Sequence, residues 1–312
     1  MPTPRREFDL IEQSFRQRVT SLHPTTRIAN GDDASVHHLP DGMELVFSTD
    51  TSLAGVHWPE DMPLVPAADR AVCAALSDMA AMGAEAAWVW LNVLARSPED
   101  ADAMGEGAAR ALNHYRLELA GGDTTRAPVN ALAVSVGGLL PEGSAMGRDG
   151  ARVGDEVWLC GRTGHAAFGL YQWLEGQRTG PFVAAFSHIE PQLLAGERLR
   201  GLGVRCCIDV SDGLVQDAGH IAERSRVALH LRIGDLPGGE ALIAAAGEKM
   251  ARQCMLHGGE DYALLFTAPP ELRSALLEFA VPVGGCREGE GVHLWDGEHE
   301  IEIVGRGFDH FG

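Results

Sequence analysis

Phe8, Ile11, Phe15 and Val19 recur at helical spacing, so residues 7–19 read as an opening amphipathic helix. A polar stretch follows and ends in Gly31-Asp32-Asp33. Strands are expected near residues 34–38 and 44–49, the second around the β-forming run Leu45-Val46-Phe47. The Ala-rich segment 66–82 predicts a helix, 88–94 a buried strand and 98–115 a second helix. A short strand then ends in Gly121-Gly122-Asp123, and another covers 130–140. This β-β-α-β-α-β order predicts an α+β first domain of ferredoxin-like type, with its helices on one face of a sheet.

Pro141-Glu142-Gly143-Ser144 marks a domain boundary, giving expected domains of residues 1–142 and 143–312. In the second half, apolar runs at 156–160, 204–208 and 263–266 alternate with helical patterns. That alternation predicts an α/β domain. The tail, 292–304, reads as a hairpin around Asp296-Gly297.

A length of 312 residues fits two domains, and 45% hydrophobic content supports a sizeable core. No apolar run is long enough to span a membrane, and the N-terminus lacks a signal-peptide pattern. The six cysteines contain no CxxC spacing. They read as free thiols in a reducing cytoplasm rather than as zinc ligands. The net charge of -19 and the lack of a basic stripe argue against a nucleic-acid partner. The same charge means that a bound polyphosphate would need metal cations to screen it.

Candidate chemistry concentrates in four acidic motifs where apolar strands are expected to give way to loops. They are Gly31-Asp32-Asp33, Ser48-Thr49-Asp50-Thr51, Gly121-Gly122-Asp123-Thr124-Thr125 and Asp209-Val210-Ser211-Asp212-Gly213. Carboxylate and hydroxyl oxygens suit a hard cation such as Mg²⁺. Any one motif reads first as an Asx turn or a helix cap, but four with the same pattern are harder to dismiss as independent turns. Asp78 differs, because its neighbours at helical spacing are Ala74, Ala75, Ala81 and Met82. A carboxylate among small apolar residues calls for a partner or a metal. No Walker-type loop, GxGxxG or protein-kinase motif set is present. Phosphates would then meet metal ions, glycine amides and a few basic groups such as Arg148. Gly161-Arg162-Thr163-Gly164, before a helix, is a weak candidate for amides that bind an anion. Gly258-Gly259 is expected to let Glu260 sit on tightly curved backbone, the alternative being a plain turn with solvated acids.

Eight strings occur in order along nearly the whole chain: GDDAS, STDTSLAGVHW, ALSDMAAMGA, GGDTTR, GRDGARVGD, DVSDGL, GGEDYALLF and GRGFDHFG. Together they resemble the thiamine-monophosphate kinases, part of a superfamily of ATP-using enzymes that includes aminoimidazole ribonucleotide synthetase and selenophosphate synthetase. The resemblance implies a homodimer formed through the first domain, an α/β second domain, and ATP near the interface between domains and subunits. It implies several Mg²⁺ ions, held by Asp33, Ser48 or Thr49, Asp50, Asp78, Asp123 and Asp209, with Asp212 on a further ion. Gly122, Asp123, Arg148 and Ser211 match positions that meet ATP. His57, Glu260 and Phe308 match positions that meet thiamine monophosphate. The implied reaction makes thiamine diphosphate, the last step of its biosynthesis. No side chain is implied as a catalytic base, because the acceptor phosphate is mostly dianionic at neutral pH. Two rivals remain: another ATP-dependent enzyme of the superfamily, and a metal-binding or nucleotide-sensing dimer that has lost turnover.

Overall fold

The computed structural model of the chain describes residues 7–305, 307 and 308. The chain divides into two compact units. One holds residues up to Met79 together with Ala84–Gly143; the other holds Ala80–Gly83 and the chain from Ser144 onward.

The first unit is built on a four-stranded sheet of β1 (Met43–Leu53), β2 (Glu85–Ala95), β3 (Glu118–Arg126) and β4 (Ala131–Pro141), in the order β1-β4-β2-β3. Helix α1 (Leu64–Met82) links β1 to β2, and α2 (Pro98–His114) links β2 to β3. β4 runs antiparallel to both β1 and β2, and β2 pairs with β3 in parallel. Ser97 caps α2 by accepting from the Asp100 N–H, with Pro98 in the first turn. The two helices approach closely because α2 carries Gly107, where a Cβ would lie 2.1 Å from the Val65 carbonyl oxygen. The opening helix is shorter than its apolar periodicity predicts. It covers Glu7–Ser14 and gives way to one 3-10 turn, Arg16–Arg18. Ser14 Oγ and the Arg18 guanidinium both bond Asp102 of α2, at 2.6 and 2.8 Å, and these contacts hold the turn.

The second unit carries a seven-stranded sheet. Its strands are β5 (Glu156–Cys160), β6 (Cys206–Val210), β7 (Ala228–Arg232), β8 (Ala263–Ala268), β9 (Val281–Arg287), β10 (Val292–Asp296) and β11 (His299–Ile301). Their order is β11-β10-β7-β9-β5-β8-β6. Helices α3 (His165–Leu174) and α4 (Leu214–Ser225) follow β5 and β6. Both faces of the sheet are covered. Val157, Leu159, Ile208 and Leu265 face a core that includes α4, whereas Trp158, Cys207, Leu264 and Phe266 face Leu199, Met146 and Leu276. Burial on both faces is why these strands read as continuous apolar runs. The strand–helix alternation does not yield a parallel ladder, however. Among neighbouring strands only β10 and β7 are parallel; the other pairs are antiparallel. The tail hairpin forms around Asp296-Gly297, with Asp296 opposite His299. All six cysteines are unbridged and buried.

Gly107→Ala should therefore destabilise the first unit. The clash with the Val65 carbonyl should outweigh alanine's better helix propensity, for a net loss on the order of 2 kcal/mol. A urea midpoint that does not fall would show that α1 and α2 pack less closely.

Candidate functional site

In the first unit, β1 does not stop where the acidic motif begins. It runs through Asp50 to Leu53, because β4 pairs with it along its whole length, from Met43 opposite Pro141 to Leu53 opposite Ala131. Asp50 is thus a strand-interior carboxylate, not a residue at the end of a strand. Side chains alternate along a strand. Ser48 and Asp50 share one face, and Ser48 Oγ donates to Asp78 Oδ2 of α1 at 2.5 Å. Thr49 lies on the opposite face, where Ser135 Oγ donates to its Oγ1 at 3.1 Å. Of the two hydroxyls weighed for one ligand position, Ser48 is the one grouped with Asp50 and Asp78. Asp78 meets the partner that its apolar helical surround calls for.

Asp123 likewise lies inside β3, not at its end. It is exposed on the edge strand, with β2 and β4 between it and β1. Gly122 has φ +144, and a Cβ there would stand 1.9 Å from the Leu91 carbonyl oxygen, so only glycine lets β3 close against β2. Asp33 is exposed in a loop, where its N–H bonds Asp32 Oδ1 at 2.9 Å. The Leu53 N–H donates to His57 Nδ1 at 3.1 Å. That bond leaves Nε2 to carry the ring hydrogen and makes His57 a donor.

In the second unit two loops lie side by side. The β6–β8 ladder pairs Val210 with Ala263. Beyond it, Tyr262 N–H donates to the Val210 carbonyl and Glu260 N–H to the Ser211 carbonyl, each at 2.8 Å. Asp209 sits within β6 and is 6% exposed. Asp212 and Ser211 follow it, and all three N–H groups of Ser211, Asp212 and Gly213 donate to one oxygen of Asp217, at 3.1 to 3.2 Å. Burial, then the charges of Asp212 and Asp209, push the Asp217 carboxyl up to about 7. The chain returns to this loop at its C-terminal end. Phe308 N–H donates to the Asp212 carbonyl at 3.1 Å, and the Gln216 amide donates to the Phe308 carbonyl at 3.1 Å. Phe308 remains 48% exposed. His257 is buried, and burial lowers its pKa.

Two expectations need correction here. The N-terminus of α3, after Gly161-Arg162-Thr163-Gly164, is already taken by an internal anion. The Asp261 carboxylate accepts from the Gly164 N–H at 2.5 Å and the Ala166 N–H at 3.0 Å. Nor do Gly258 and Gly259 carry the curvature of their loop. The positive φ values fall on Glu260, at 73°, and Tyr262, at 50°. The glycines are needed for closeness, since Cβ atoms there would lie 2.4 Å from Ala167 Cβ and 2.3 Å from the Ser211 carbonyl oxygen.

Ser211, Asp212, Glu260 and Phe308 are therefore brought together, and Asp209 lies beside them. Arg148 is not. It is exposed, and the adjacent Gly147 pairs with Cys206 at the start of β6, whereas Ser211 follows its end. The five intervening residue steps span about 16 Å. Sequence reasoning missed Asp217 and Asp261. Asp217 had a readable signal, since it falls on the same face of α4 as Leu214, Ala218 and Ile221, which are buried. Asp261 had none, because its partners lie 97 and 95 residues away. Among the described residues, no three Asp, Glu, His or Cys side chains converge as a ready-made metal site.

The family described as "AIR synthase related protein, N-terminal domain" matches residues 31–147. Thiamine-monophosphate kinase of Escherichia coli K12 is 33% identical, over 98% of each chain. A crystal structure of thiamine-monophosphate kinase from Stenotrophomonas maltophilia K279a has a TM-score of 0.84 at 34% identity, over 91% of this chain and 95% of that one. A structure of AaThiL complexed with AMPPCP and TMP has a TM-score of 0.78 at 26% identity, over the whole of both chains. With eight motifs in order, a matching fold and this extent of identity, the chain belongs to the thiamine-monophosphate kinase family.

Proposed function

We propose that this kinase transfers the γ-phosphoryl group of ATP to the phosphate of thiamine monophosphate, giving ADP and thiamine diphosphate, by direct in-line transfer with several Mg²⁺ ions bound. The observation that carries this reading is the Ser48–Asp78 hydrogen bond, with Asp50 on the same face of β1 as Ser48, set in a family whose AaThiL member was solved with AMPPCP and TMP.

The donor chemistry fits Mg²⁺. Ser48, Asp50, Asp78, Asp123 and Asp33 in the first unit, and Asp209 and Asp212 in the second, supply hard oxygens only. The lack of three converging ligands is compatible with this ion, which commonly takes one or two carboxylates and completes its shell with water and substrate phosphates. When bound, Mg²⁺ would offset the repulsion between donor and acceptor phosphates.

The remaining roles belong to side chains and backbone. His57 would donate from Nε2 to the acceptor; with Nδ1 accepting from Leu53 it is not poised as a base. Glu260 and the exposed Phe308 would face the thiazolium cation. Gly122, Asp123 and Ser211 would meet ATP. Arg148 would meet it from a different place along β6. The pairing of copies rests on the open face of the first sheet, where Leu45 is 50% and Phe47 58% exposed. A homodimer would cover that face. Among the described residues no helix is long and apolar enough to cross a membrane, and we place the enzyme in the cytoplasm.

The direct test is to incubate the purified chain with ATP, Mg²⁺ and thiamine monophosphate. ADP and thiamine diphosphate should appear in equal amounts. ADP with inorganic phosphate and unconsumed acceptor would favour another ATP-dependent enzyme of the superfamily, and no ADP at all the dimer without turnover.

Asp78→Asn should raise the Mg²⁺ concentration for half-maximal rate and lower the maximal rate, with the circular dichroism spectrum unchanged. An unaltered Mg²⁺ dependence would leave Asp78 as only a partner of Ser48.

His57→Asn should weaken thiamine monophosphate binding and keep a measurable maximal rate. Asp50→Asn and Asp123→Asn should each lower the maximal rate about 100- to 1000-fold. In wild type the rate should rise through about pH 6 as the acceptor becomes a dianion. A His57→Asn enzyme that binds both substrates yet is inactive at every pH would make His57 an acid or base.

Sedimentation equilibrium should give a dimer for wild type and a monomer for Phe47→Asp. A fully active wild-type monomer at micromolar concentration would remove the paired-copy reading.

A further inference from the structure

Among the described residues four non-glycine residues have positive φ: Arg116, Arg226, Glu260 and Tyr262. Arg116 and Arg226 follow helix ends, where a left-handed residue is an ordinary stop. Glu260 and Tyr262 stand at no helix cap. They flank Asp261 in one loop, and backbone of this kind persists only where its surroundings hold it.

The surroundings that hold it are visible. The N–H groups of Glu260 and Tyr262 both bond the β6 strand and its extension, at the carbonyls of Ser211 and Val210. Asp261 between them reaches the other way, to the Gly164 and Ala166 N–H groups at the start of α3. A helix N-terminus favours a carboxylate, so this contact is charge-assisted. The loop is thus pulled from two sides, and each left-handed residue marks a point where the chain turns between them. Gly258 and Gly259 leave it no room to relax, being packed against Ala167 and the Ser211 carbonyl. The hydroxyl of Tyr262 lies 3.4 Å from Glu260 Oε2.

We infer that Asp261 is a positioning residue: by tying the loop to the N-terminus of α3 it holds Glu260 in the left-handed conformation that sets its carboxylate for the acceptor. This rests on the reading that Glu260 meets thiamine monophosphate. On this reading Asp261 acts through Glu260.

The test is a double-mutant cycle read on the two KM values. Asp261→Asn keeps one acceptor oxygen and sets an amide NH₂ against the other N–H. It should raise KM for thiamine monophosphate about tenfold and leave KM for ATP within about twofold. In a Glu260→Gln background, Asp261→Asn should add less than about twofold. An equal rise in both backgrounds, or a joint rise of both KM values, would make Asp261 a structural residue only and overturn the inference. Glu260→Gln alone leaving KM for thiamine monophosphate unchanged would instead remove the substrate reading of Glu260, and the inference with it. Glu260→Gly reads the strain independently should Asp261→Asn fail to fold. It should raise Tm by about 2–4 °C while weakening thiamine monophosphate binding, because glycine accepts positive φ. A Tm that does not rise would show that the loop is not held under strain and would overturn the inference.

Discussion

The antiparallel pairing of β6 with β8 decides where the acidic loops of the second unit stand. Val210 lies opposite Ala263, so the segment after one strand must run beside the segment before the other. Asp212 and Glu260 are 48 residues apart in the chain and become neighbours through that register. Two buried or half-buried carboxylates then fix the loops that carry them. Asp217 collects three N–H groups from residues 211–213, and Asp261 collects two from α3. An unpaired buried N–H costs about 1–3 kcal/mol, so these carboxylates decide whether the loops are ordered.

The first unit solves the same problem with a strand instead of a loop. Full-length pairing with β4 carries β1 as a strand through Asp50, and alternation sends Ser48 and Asp50 to one face. Asp78 meets Ser48 from α1, whose position depends on Gly107 in α2. Placement of acids on regular elements suits phosphoryl transfer, where misplacement by about 1 Å can cost on the order of 100-fold in rate.

Periodicity made the helices and main strands of the first unit legible, and β5, β6, β8 and the tail hairpin of the second, because apolar faces and two-sided burial leave direct marks on a sequence; β7 and β9 were not read from it. The Ala-rich surround of Asp78 also announced a partnered carboxylate, and Ser48 is a partner found there. Strand ends were not legible. Ser-Thr-Asp-Thr looks like a turn, yet the ladder with β4 supplies the backbone bonds that a turn would have supplied. Small polar residues lose their turn preference once a neighbouring strand pairs with them. The anion site suggested at Gly161–Gly164 failed for a related reason. A helix N-terminus does attract an anion, but here it is Asp261, from another part of the chain. Local rules name the need for a partner; only the fold says who meets it.

The claim that these oxygens hold the metal ions can be tested most directly by crystallising the enzyme with Mn²⁺, a non-hydrolysable ATP analogue and thiamine monophosphate, and locating the ions by anomalous scattering. The account predicts peaks within coordination distance of the Ser48, Asp50 and Asp78 group and of Asp209 or Asp212, each also touching a phosphate oxygen. Ions bound to the phosphates alone, with these side chains out of reach, would contradict it.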